Sequence, residues 1–193
     1  GIQNFNGLNN LNEIGESLII NNNTLLENLS GFNNLRKVGS SFSFTNNFKV
    51  TNFIGLDSLK TVNGTFSISG SRDLISFNGL QKLDSIGGSF LLSNNNKLQS
   101  FFGLNNLLNI EGKLDLTNNT LLQNFTGLNR LKWIGNLLSL KTTAISSFNG
   151  LDSISYLGWI NLDNNSSLSN LMGLGDGNDI EIQGTINIKP SSQ

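Results

Sequence analysis

The 193-residue chain contains neither cysteine nor histidine. That double absence removes thiol nucleophiles, disulfides, imidazole bases and the commonest zinc ligands together. Most hydrolytic and redox chemistry goes with them, so the chain reads as a non-enzyme that needs no cofactor. Charge is scarce as well: 12 basic and 13 acidic residues leave a net charge of -1. A domain this neutral lacks the Lys/Arg surplus that drives binding to phosphate backbones or anionic membranes. No run of 18 or more apolar residues is present to span a bilayer. Nucleic acid and membrane insertion are accordingly poor expectations.

Asparagine fills the space these residues leave. About one residue in six is Asn, clustered at Asn21-Asn22-Asn23, Asn46-Asn47, Asn94-Asn95-Asn96, Asn118-Asn119 and Asn164-Asn165. The spacing is periodic, and a second signal keeps the same time. A glycine followed by an apolar residue recurs at Gly7, Gly31, Gly55, Gly79, Gly103, Gly127, Gly150 and Gly173, in steps of 24 five times and then 23 twice. Self-similarity at a period of 20 to 50 residues is the mark of a solenoid.

The coil anchored at Gly79 displays the unit: Phe77-Asn78-Gly79-Leu80, then Leu83, Ile86, Gly88, Phe90, Leu92, Asn94-Asn95-Asn96 and Leu98. Three short extended segments are separated by Gly and Asn corners. In Ser89-Phe90-Leu91-Leu92-Ser93, Ser41-Phe42-Ser43-Phe44-Thr45 and Lys113-Leu114-Asp115-Leu116-Thr117 apolar residues fall at every second position, the period of a strand with one buried face. Gly supplies the positive φ of tight corners, and Asn tolerates it best among residues with a side chain. Stacked asparagines can also bond corner backbone groups that turn inward. One coil cannot bury enough apolar surface to fold alone, so stability must come from packing and ladders between neighbours. The pattern predicts a mainly β fold: a right-handed parallel β-helix, or leucine-rich-repeat-like solenoid, of about eight coils. A single repeat domain over residues 1–188 and a polar tail over 189–193 follow.

Written as Gly-Leu-x-x-Leu-x-x-Ile-x-Gly-x-Leu-x-Leu-x-Asn-Asn-x-x-Leu, the coil resembles the receptor L domain, and most of all bacterial and fungal surface members of that family. Leu80, Leu83, Ile86, Gly88, Phe90, Leu92, Asn94 and Leu98 carry the match in one coil, and Leu104, Leu107, Ile110, Gly112, Leu114, Leu116, Asn118 and Leu121 in the next. The resemblance implies an extracellular, cell-surface module that offers a sheet face to a protein or glycan partner, and it supplies no catalytic residues. Animal members are disulfide-stapled and helix-capped, and this chain has no Cys, so their ligand sites do not transfer.

Three features are candidate sites. The outward strand positions Ser41, Ser43, Thr45, Thr65, Ser67, Ser69, Ser89 and Ser93 form a flat hydroxyl array of the kind an ice-binding surface uses, although Lys113, Asp115 and Lys141 interrupt it. Its extent is about 16 Å by 38 Å, from five residues at ~3.3 Å and eight coils at ~4.8 Å. That is about 600 Å², below the ~800 Å² per partner of a standard interface. Second, the position before the third apolar anchor is polar in Glu13, Lys37, Thr61, Ser85 and Asn109 but becomes Trp133 and Tyr156, with Trp159 nearby. Stacking should lay Trp133 and Tyr156 side by side and gather all three into one outward aromatic cluster, a chemistry suited to interfaces and sugar-binding surfaces. Third, Asp176, Asp179 and Glu181 form an acidic corner that could hold calcium through oxygen ligands. Scattered carboxylates elsewhere give no glycosidase-type pair. At the ends, Thr185-Ile186-Asn187-Ile188 reads as an uncovered strand, and the apolar layer around Leu18 and Ile20 reads as uncapped. Flanking domains or stacked subunits are expected there, which makes a spacer or assembly subunit the alternative to a binding module.

Overall fold

The structure is a computed structural model that describes residues 1–176 and 179–189. It is a parallel β-solenoid of about seven turns, with no helix among the described residues. Each of the first five coils contributes a two-residue strand and then a four-residue strand. These are β1 (Glu13–Ile14) and β2 (Leu18–Asn21), β3 (Lys37–Val38) and β4 (Phe42–Thr45), β5 (Thr61–Val62) and β6 (Phe66–Ser69), β7 (Ser85–Ile86) and β8 (Phe90–Ser93), and β9 (Asn109–Ile110) and β10 (Leu114–Thr117). In the next two coils the pair fuses into one strand, β11 (Trp133–Lys141) and β12 (Tyr156–Asp163). The last coil returns to β13 (Glu181–Ile182) and β14 (Ile186–Lys189), so Lys189 closes a strand instead of opening the tail.

All pairings are parallel, and Leu18, Phe42, Phe66, Phe90, Leu114, Leu138, Ile160 and Ile186 are partners in sequence across eight rungs, in steps of 24 as far as Leu138 and then of 22 and 26. Two sheets result, one of short and one of long strands, joined through β11 and β12. The third side of each coil contains no strand. Its extended segments are nevertheless tied coil to coil by backbone bonds, such as the Phe77 N–H to the Phe102 oxygen at 2.8 Å and the Ile75 N–H to the Thr51 oxygen at 2.9 Å.

The repeated residues have separate physical reasons. At Gly79 φ is +107°, and an added Cβ would stand 2.1 Å from the Phe53 carbonyl oxygen of the preceding coil. Both the torsion and the close approach demand glycine there, and the same conditions recur at Gly31, Gly55, Gly103, Gly127 and Gly150. At the corner after each long strand, Asn22, Asn46, Asn94, Asn118 and Asn164 take left-handed φ values between 55° and 60°, and Gly70 fills the same place at 63°. Thr142 occupies it in the sixth coil at 53°.

The residue after each corner points inward. Asn95 donates from Nδ2 to the Ile68 oxygen (3.0 Å) and accepts at Oδ1 from the Ser71 N–H (3.1 Å), and Asn47 and Asn119 do likewise. These buried amides close the backbone's hydrogen-bond account where the chain turns into the core. Ser71 is too short to continue the ladder, and its hydroxyl is buried with no partner.

Two files of phenylalanine fill the interior. Phe53, Phe77, Phe101, Phe125 and Phe148 stack with centroids 5.4–5.9 Å apart, and Phe42, Phe66 and Phe90 at 5.0–5.3 Å. The files meet edge to face, as at Phe77 and Phe90 (71°), a favoured geometry for aromatic quadrupoles.

The ends differ. Leu18 and Ile20, expected to lie open, are buried, and Phe5, Leu11 and Ile14 of the same first coil are partly buried against the core. Ile186 and Ile188, in register with Ile160 and Leu162, are 46% and 63% exposed, and among the described residues β14 pairs only with β12.

Candidate aromatic and amide site

The outward face of the long sheet carries two rows of residues. One runs Ile19, Ser43, Ser67, Leu91, Asp115, Ser139, Asn161, Asn187, and the other Asn21, Thr45, Ser69, Ser93, Thr117, Lys141, Asp163, Lys189. The hydroxyls are not a free lattice. Ser93 Oγ donates to Ser69 Oγ at 2.8 Å, and Thr117 Oγ1 donates to Asp115 Oδ1 at 3.1 Å.

Trp133 and Tyr156 stack as their register dictates, with ring centroids 3.8 Å apart and planes 9° from parallel. Each ring spends one face on the other, and the Tyr156 hydroxyl donates to Gln183 Oε1 at 2.6 Å. The indole of Trp133 also folds toward Gly135, where a Cβ would come within 2.9 Å of its Nε1. This pair is largely self-satisfied.

Trp159 does not join it, and the three aromatics do not form one cluster. A register shift between Ile134 and Leu137 separates the two halves of the fused strands, leaving Trp133 and Tyr156 on the short sheet. Trp159 starts the long-sheet half, in register with Leu137, and is 56% exposed. Its indole lies against the Gly184 backbone, where a Cβ would sit 1.7 Å from Cδ1. Beside it is an open depression of about 340 Å³ lined by Leu137, Trp159, Ile160, Asn161, Thr185 and Asn187. Asn187 Nδ2 donates to Asn161 Oδ1 at 3.0 Å. The remaining halves of those amides, Asn161 Nδ2 and Asn187 Oδ1, face no protein partner among the described residues. No lining side chain is charged.

Sequence reasoning found Trp159 but missed Leu137, Asn161, Thr185 and Asn187. The signal existed in the strand alternation, since Asn161 and Asn187 hold the same outward place. It was hidden because partners at this point are 26 residues apart, not 24 or 23.

The acidic corner does not assemble. Asp176 Oδ2 accepts the Gly173 N–H at 3.0 Å, the role Asp57 plays for Gly55 and Asp152 for Gly150. Glu181 stands in register with Tyr156, and among the described residues no three acidic side chains converge on a cation-sized site. Asp176, Asp179 and Glu181 are therefore corner and strand residues, with Gly177 and Asn178 between them outside the described residues.

Fold and site together define a class: a parallel β-solenoid repeat protein with an uncharged aromatic and amide depression on its last coils. Comparison with known families, with curated proteins and with solved structures found no match to this chain.

Proposed function

We propose that the chain is a non-catalytic binding or adhesion module of the receptor L domain type, displayed at a cell surface and engaging its ligand through Trp159. The exposed indole carries the reading. An aromatic of this size left more than half uncovered forgoes the apolar burial that the core residues gain. Every phenylalanine of the two interior files is fully buried, whereas Trp159 is held outward on a rigid strand against Gly184. Rigid aromatic anchors of this kind lose little conformational entropy on contact and are enriched where proteins bind ligands. The repeat pattern quoted above supports the family assignment, and the family supports the extracellular location. Binding screens of the wild type and Trp159→Ala against arrays of surface glycans and displayed proteins test the reading. A ligand lost in the variant at unchanged melting temperature supports it, and equal binding by both proteins overturns it.

The open edge of β14 and the exposed Ile186 and Ile188 favour a second reading, a spacer or assembly subunit covered at that end by a flanking domain or a neighbouring copy. Sedimentation velocity across a hundredfold range of concentration tests it. A strict monomer throughout would sink the stacked-copy form.

A further inference from the structure

We propose that the depression beside Trp159 takes a ring of a neutral sugar, so that the ligand of the module is an uncharged glycan chain. The inference rests on the binding-module reading and narrows it. Three observations select this chemistry. The depression is amphipathic: the indole of Trp159 and the aliphatic Leu137 offer apolar surface, while the free Asn161 Nδ2, the free Asn187 Oδ1 and the Thr185 side chain offer one donor, one acceptor and a hydroxyl. A pyranose has the complementary division, with C–H groups across a ring face and hydroxyls around its rim, so the two surfaces satisfy each other without leaving a polar group unpaired.

Charge is the second. None of the lining side chains is ionisable, so nothing there would neutralise a phosphate, sulfate or carboxylate drawn out of water. The third is size. At about 340 Å³ the depression lies at the small end of ligand sites, roughly 300–1,000 Å³, a size that suits one or two sugar rings. The fused amides also constrain the fit. The bond from Asn187 to Asn161 fixes both side chains, so the free donor and acceptor are already aimed, and little ordering is left to oppose binding.

The test uses tryptophan emission of the Trp133→Phe protein, which retains an aromatic ring in the stack on Tyr156 and leaves Trp159 as the sole indole. It is titrated with tetra- to hexasaccharides of β-1,4-glucan, β-1,4-xylan, β-1,4-mannan and β-1,4-linked N-acetylglucosamine, with an oligogalacturonate as the anionic control. At least one neutral series should shift or quench the emission, with the anionic series at least tenfold weaker. Calorimetry should show the affinity reduced at least tenfold in Trp159→Ala and in Asn187→Ala. Gly184→Ala keeps the indole but displaces it from its seat, and it should also reduce the affinity. No response to any neutral oligosaccharide, or equal binding by Trp159→Ala, overturns the sugar assignment. If sugars fail while a displayed protein binds in a Trp159-dependent way, the module reading survives without it. If no ligand of either class binds and Trp159→Ala lowers the melting temperature by several degrees, both readings fall and Trp159 is edge packing.

Discussion

Two single residues show how closely this backbone dictates its sequence. Gly79 combines a positive φ with a carbonyl oxygen at 2.1 Å from the place of a Cβ. Gly79→Ala should therefore cost at least about 2 kcal/mol, from the strained torsion plus the displaced coil, measured as a lowered denaturation midpoint with little change in slope. Thr142 is the opposite case, a β-branched residue held at φ 53° where its counterparts are Asn or Gly. The neighbouring coils solve the same corner without that strain, so Thr142→Asn should raise stability by about 1 kcal/mol. An unchanged or lowered midpoint would show that the Thr142 hydroxyl, near Asn164 Nδ2 at 3.5 Å, offsets the torsional cost.

At the scale of the strand, alternation assigns opposite roles to neighbours. Leu92 is buried and Ser67 faces solvent in part, so Leu92→Ala should cost about 2–5 kcal/mol and Ser67→Ala under about 0.5 kcal/mol. Equal losses in urea denaturation would contradict the strand phase. Much of this level was legible in advance. Period-two alternation announced the long strands, and Gly31 to Gly173 announced the coil because a positive φ and a neighbouring backbone too close for a Cβ leave glycine at every one of those corners. What was illegible follows from the same physics. The third side forms spaced coil-to-coil bonds without a strand: its two inward apolar residues stand three apart, as Leu74 and Phe77 do, and that spacing lacks the period of two that marks a strand. Trp159 was expected to gather with Trp133 and Tyr156, and the register shift inside β11 and β12 that separates them has no sequence signal beyond Gly135 and Gly158. The amides that complete the depression come from different coils, and only register brings them together.

For the whole molecule, stability is a sum of coils and the interfaces between them. Coils in the middle are packed on both sides, whereas among the described residues β13 and β14 meet a neighbouring strand on one side only. Hydrogen exchange should be graded accordingly, with amides of β6 and β8 protected by orders of magnitude more than those of β14. Uniform protection would indicate a single cooperative unit instead. Salt should matter little, because the ion pairs of Lys37 with Glu13 and of Lys97 with Asp73 are solvent-exposed and pairs of that kind contribute little.

The parallel stacking also sets how the molecule would bear a load. Ladder bonds, the inward asparagines and the phenylalanine files all run along the solenoid axis, so tension applied between Gly1 and Lys189 meets them in series. Each coil would be peeled from its neighbour before the next is loaded. Extension in an optical trap or force microscope should proceed in regular steps, each releasing about 80 Å of contour length, from 24 residues at ~3.3–3.6 Å apiece. The first step should come from the coil of β13 and β14, which among the described residues pairs only with β12. A single all-or-none rupture would mean that force is shared among coils rather than passed down the stack.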